Sequence, residues 1–130
     1  MKKICVFFVA TLISCLAFAA FPIEGSWGGQ QADNDFVFDM TMTVANGTVS
    51  LINVCSRGSQ TARAQVSVPA SYDASSLTVL GSAQDTQTSA DGNLNCNVNA
   101  IPTRMNYVVQ GDVLTLTQDG TPGAMVLMRR

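Results

Sequence analysis

The sequence predicts an all-β protein: an antiparallel up-and-down barrel of eight or nine short strands carrying one disulfide. Three observations lead there. Past residue 24 the apolar residues recur with a period of two, and the helical period is nearly absent. Asn46-Gly47 and Gly111-Asp112 sit as tight turns between such runs. Cys55 and Cys96 both fall on the apolar sides of their runs.

The N-terminus reads as a signal peptide over residues 1–19, which leaves 20–130 as a single domain. Lys2 and Lys3 give the positive start, Ile4 to Leu16 the apolar run, and Ala17-Phe18-Ala19 the small-x-small cleavage site. A membrane anchor is the competing reading, since the apolar stretch nearly reaches the ~20 residues a span needs. The cleavage site favours the signal. Leu12-Ile13-Ser14-Cys15 also resembles a bacterial lipobox. The residues after it, Leu16 to Phe21, are apolar, where a lipid-anchored domain wants a polar and flexible tether. The expectation is therefore a secreted or periplasmic protein, with no membrane partner unless Cys15 is lipidated.

Removing the signal leaves five arginines and no lysine against nine carboxylates, a net charge of −4, and the chain has no histidine. Such a surface, with no basic run, argues against nucleic acid and anionic membranes as partners. Cys5 and Cys15 leave with the signal. One disulfide is then possible in an oxidising compartment, Cys55 with Cys96. Closing that loop contributes about 4 kcal/mol on the chain-entropy estimate.

The strands follow in order. A short first strand surrounds Trp27. Phe36, Phe38, Met40, Met42 and Val44 then alternate with Val37, Asp39, Thr41 and Thr43 up to Asn46-Gly47. A two-residue loop there pairs Val44 with Val49, Met42 with Leu51, Met40 with Asn53 and Phe38 with Cys55. Ala62, Ala64, Val66 and Val68 form the next strand, which Pro69 is expected to end. Leu77 to Leu80 is a short strand, and Gly81 to Gly92 reads as a polar loop. Leu94, Cys96, Val98 and Ala100 then alternate with four asparagines. Gly111-Asp112 pairs Val109 with Leu114 and Tyr107 with Leu116, and a strand from Ala124 to Arg130 ends the chain. Sequential hairpins favour an up-and-down order, and closure removes the exposed edges that invite aggregation.

The chemistry of catalysis is sparse, and the expectation is no enzyme, no catalytic residue, no metal and no cofactor. Without histidine a serine triad of the usual kind has no imidazole base. The aspartates sit mostly in turns, where they bond their own backbone. Met40-Thr41-Met42 and Met125 to Met128 offer soft sulfur suited to Cu(I), but methionines facing a core more often fill gaps. Asp33-Asn34-Asp35 lacks the spacing of a full calcium loop.

Gly25-Ser26-Trp27 resembles the Gly-x-Trp motif that opens the first strand of lipocalin-like, or calycin-type, barrels. The closing Leu127-Met128-Arg129-Arg130 resembles their last strand, whose arginine packs across that tryptophan. The resemblance implies a barrel with one end closed by Trp27 and Arg129 and the other end open. It implies a non-enzymatic binding module holding a small apolar ligand in a mouth lined by Phe36, Phe38, Met40, Met42 and Tyr107. The alternative is a secreted or envelope interaction protein, whose filled barrel binds a protein partner through its loops.

Overall fold

Asn46 and Gly47 both take positive φ, 54° and 73°, the backbone that a two-residue type I′ hairpin demands. The register follows from that turn: Val44 faces Val49, Met42 faces Leu51, Met40 faces Asn53 and Phe38 faces Cys55. This is the pairing read from the sequence. The computed structural model describes residues 21–130. The signal expected over 1–19 and the lipid site at Cys15 lie outside the described residues.

The described residues form ten strands: β1 Gly25–Asp33, β2 Phe36–Ala45, β3 Thr48–Arg57, β4 Gln60–Tyr72, β5 Ser76–Val79, β6 Ala83–Thr88, β7 Asn95–Ala100, β8 Thr103–Gln110, β9 Val113–Gln118 and β10 Thr121–Arg129. Eight of them close an antiparallel barrel in the order β1-β10-β9-β8-β5-β4-β3-β2, and β6 and β7 form a separate two-stranded hairpin. Neighbours in the barrel are neighbours in sequence, except that β5 pairs with β8 across the inserted hairpin and β1 pairs with β10 to close the barrel.

Alternation along each strand sends every second side chain inward. Trp27, Val44, Val49, Val68, Leu77, Tyr107, Leu114 and Leu127 fill one end of the barrel, all at most 4% exposed. Each such side chain contributes ~1.5–3 kcal/mol on burial. The same inward set continues toward the other end with Met40, Phe38 and Phe36 on β2, which are only partly buried.

Two segments depart from the sequence reading. Residues 83–88, expected within a polar loop, form β6 and pair in register with β7 from Ala83–Ala100 to Thr88–Asn95. Polar side chains hold that ladder, with Thr86 donating to Asn97 and Thr88 to Asn95. Pro69 does not end its strand, because β4 runs on to Tyr72. The β4–β5 ladder begins at Ala70–Val79, so the donor missing at Pro69 falls just past its end. Pro69 still accepts from Leu80 N–H at 2.9 Å.

Candidate functional site

The two ends of the barrel differ in what fills them. At the closed end the chain before β1 tucks underneath, with Ile23 fully buried. Trp27 Nε1 donates to the Ile23 carbonyl at 2.8 Å, which satisfies the indole inside the core. The Arg129 guanidinium lies 4.2 Å from the centre of the Trp27 ring. Its Nε stands 3.3 Å from Asp112. Tyr72 donates to Glu24 at 2.7 Å while accepting from Gly47 N–H, and Tyr107 donates to the Asp73 carbonyl. Burial is the leading cause that pushes both tyrosine pKa values up.

The inserted hairpin covers part of the other end. Cys96 is bonded to Cys55, with Cα atoms 5.6 Å apart. Cys55 is inward-facing, so β6 and β7 pack on the core side of β3 and β4. Leu94, Cys96, Val98 and Ala100 are buried there with Ala62 and Ala64. The small alanines leave room for this second layer. Asn53, 6% exposed, donates through Nδ2 to the Asn97 carbonyl at 2.8 Å. Its Oδ1 is the buried side-chain polar atom among the described residues that has no hydrogen-bond partner. Asp85 on β6 accepts from Gln65 N–H of β4 at 2.8 Å. That contact, more than any other, holds the Asp85 carboxyl below the usual range.

Beside the hairpin the mouth stays open. β1 and β10 pair only at Trp27–Arg129 and Gly28–Met128, and beyond Gly28 they part. A cleft of about 410 Å³ lies at that parting, lined by Gly29, Gln30, Gln31, Phe38, Met40 and Ala124–Leu127. A second hollow of about 480 Å³ adjoins it through Gln31 and Phe38 and extends to Asp33 and Phe36. A third, about 350 Å³, lies over the irregular start of β10, where the β9–β10 register shifts between Thr121 and Met125.

Of the five residues expected to line a mouth, the structure brings three there. Phe38 and Met40 line the first cleft, and Phe36 lines the second hollow. Met42 and Tyr107, each 4% exposed, lie in the filled end. Sequence reasoning missed the opposite wall, Ala124–Leu127. Nothing in the alternation of residues 124–130 tells that β1 stops pairing there.

A second arginine works on the outside of the same junction. Arg130 crosses β1 and grips Asp39 on β2 with two hydrogen bonds, 2.8 and 2.6 Å. It also reaches Thr41 Oγ1 at 2.7 Å. Its side chain passes directly over Gly28, where the three atoms nearest an added Cβ would be Arg130 Nε, Cζ and Cδ, all inside contact distance. The hydrogen bond from Arg130 is the leading cause of the lowered Asp39 pKa.

Among the described residues no group of three or more His, Cys, Asp or Glu side chains converges as a metal site. Comparison with known families, with curated proteins and with solved structures finds no match to this chain.

Proposed function

We propose that this chain is an exported, non-enzymatic binding module that holds a small apolar ligand in the cleft between β1, β2 and β10. The observation that carries this reading is the cleft itself. Its volume of about 410 Å³ falls within the range of ligand pockets. Phe38, Met40, Met125 and Leu127 supply an apolar lining that includes no ionisable side chain. The closed antiparallel barrel and the arginine over Trp27 support a calycin-like relationship. The Cys55–Cys96 bond supports export into an oxidising compartment, periplasm or medium.

Titration with N-phenyl-1-naphthylamine, a neutral apolar fluorophore, tests the reading. Saturable enhancement is expected for the wild type, weakened at least about tenfold in Met125→Arg, a loss of ~1.4 kcal/mol or more. Met125 is 50% exposed, so this variant keeps the fold. A wild type that shows no saturable binding rejects the reading.

A second reading has its own observation. One end of the barrel is filled, and Val108, Met128 and, at the rim of the cleft, Val126 stand more than half exposed. An apolar row of that kind suits a protein partner. In-cell crosslinking that yields one adduct, lost in Val108→Asp, would favour this second reading if the fluorophore fails to bind.

A further inference from the structure

The junction between β1 and β10 is the least paired in the barrel wall. The two strands share two ladder pairs, whereas β1 pairs with β2 at every position from Gly25 to Asp33. Main-chain groups alternate sides along a strand. Arg130 N–H donates to the Ser26 carbonyl at 2.8 Å, so Ser26, Gly28, Gln30 and Ala32 turn their groups toward β10. Of these, Gln30 and Ala32 find no ladder partner there. The cleft opens at that stretch. Below it, the closed end is tightly filled.

We propose that the β1–β10 junction is the gate of the cleft, and that Arg130, strapped across Gly28 onto Asp39, is its latch. The gate rests on the cleft being the binding site. The latch spans three strands from outside: it is rooted at the end of β10, passes over β1 and is fastened to β2. Arg130 N–H is held at Ser26, one position below the Trp27–Arg129 pair, so the strap sets the lower limit of the parting. While it holds, β10 stays paired at Gly28 and the cleft opens only above that point. When its two charge-assisted hydrogen bonds break, the two remaining ladder pairs lose their outer support and β10 peels past Gly28. Gly28 belongs to the device because any side chain there displaces the guanidinium. Asp39 meets Gln30 on β1 and Val54 on β3 across its ladders, neither of them charged, so Arg130 alone sets its charge environment.

Hydrogen exchange on the full exported protein, read by mass spectrometry, tests the latch. Arg130→Ala, Asp39→Asn and Gly28→Ala are each expected to speed exchange in peptides covering 28–33 and 121–128 by about tenfold, the usual scale for a charge-assisted pair. Peptides covering 49–55 and 62–70 keep wild-type rates. Adding Gly28→Ala to Arg130→Ala adds no further change, because the clash it creates is with Arg130. Stopped-flow mixing with N-phenyl-1-naphthylamine reads the gate: both association and dissociation quicken in Arg130→Ala while affinity stays within about twofold. Exchange that is unchanged in all three variants overturns the latch. Faster exchange with unchanged probe rates overturns the gate, because the probe then enters elsewhere. A wild type that binds no probe instead sinks the cleft reading, and the exchange experiment still decides whether Arg130 holds the junction.

Discussion

The Arg129 guanidinium lies 4.2 Å from the centre of the Trp27 ring, on the inner side of a ladder pair that joins the first and last strands of the barrel. The next residue, Arg130, turns to the outer side of the same junction. Adjacent positions on a strand face opposite ways, so one Arg-Arg step clamps β1 from both sides.

Arg129→Ala is expected to destabilise the fold by ~0.5–2 kcal/mol, the range for a cation over an indole. Trp27 is the chain's one tryptophan, so its emission should shift to the red as water reaches the ring. Arg63 is exposed on the outer side of β4, and Arg63→Ala is the control that leaves both readouts unchanged. Denaturant titration followed by emission decides it. Indifference to Arg129 would make Trp27 ordinary core.

Replacing Cys55 and Cys96 with Ala together should lower the thermal midpoint, with a loss of up to ~4 kcal/mol. The damage is local. Only β6 and β7 hang on that bond outside the barrel ladder, so exchange should rise across 83–100 while β2, β3 and β9 stay protected. A variant with wild-type protection at 83–100 would mean that packing alone holds the hairpin.

Acid should destabilise the protein and neutral pH should not. Asp39, Asp73, Asp85 and Asp91 all have lowered pKa values, held down chiefly by hydrogen bonds from Arg130, Ser75, Gln65 and Ser89 respectively. A lowered folded pKa gives stability above the unfolded value near ~3.9 and loses it as pH falls through the folded value. Tyr72 and Tyr107 are raised, so their contribution is complete below ~10 and fades above it. With no histidine, the thermal midpoint should be level from about pH 5 to 9 and drop below about pH 4. A slope between pH 5 and 8 would contradict this. Asp39→Asn should lose part of the acid drop.

Asp85→Ala should make β4 adhesive. The Asp85 carboxylate covers Gln65 N–H on a stretch of β4 that β5 does not reach, and bare strand edges recruit other edges. Faster exchange at Gln65 and concentration-dependent self-association in sedimentation are the expected readouts. A variant that stays monomeric at high concentration would show the hairpin itself to be cover enough.

The wall of the barrel was legible where a turn fixes the register. Asn46-Gly47 and Gly111-Asp112 each set a whole ladder, and the inward side of Cys55 and Cys96 followed from alternation alone. β6 was not legible. Its inner-layer contact is carried by its partner β7, so its own residues stay polar and show no apolar alternation. The cleft was half legible. Phe38 and Met40 could be placed on an inward face, but β1 and β10 are joined by no turn, and nothing local records how far their pairing runs. The outer strap left one trace in the sequence, the small residue Gly28 beside Trp27, whose reason appears only once Arg130 lies across it.

Val79 and Thr103 face each other in the β5–β8 ladder, so the chain leaves the wall at one and returns at its neighbour. Residues 80–102 are thus a parenthesis in the hydrogen-bonded circuit of the barrel. Their sequence and length can change without re-registering any wall strand, provided Cys96 still finds Cys55, apolar side chains still cover Ala62 and Ala64, and an acceptor still covers Gln65 N–H. A change of length in this segment is therefore absorbed outside the barrel ladder.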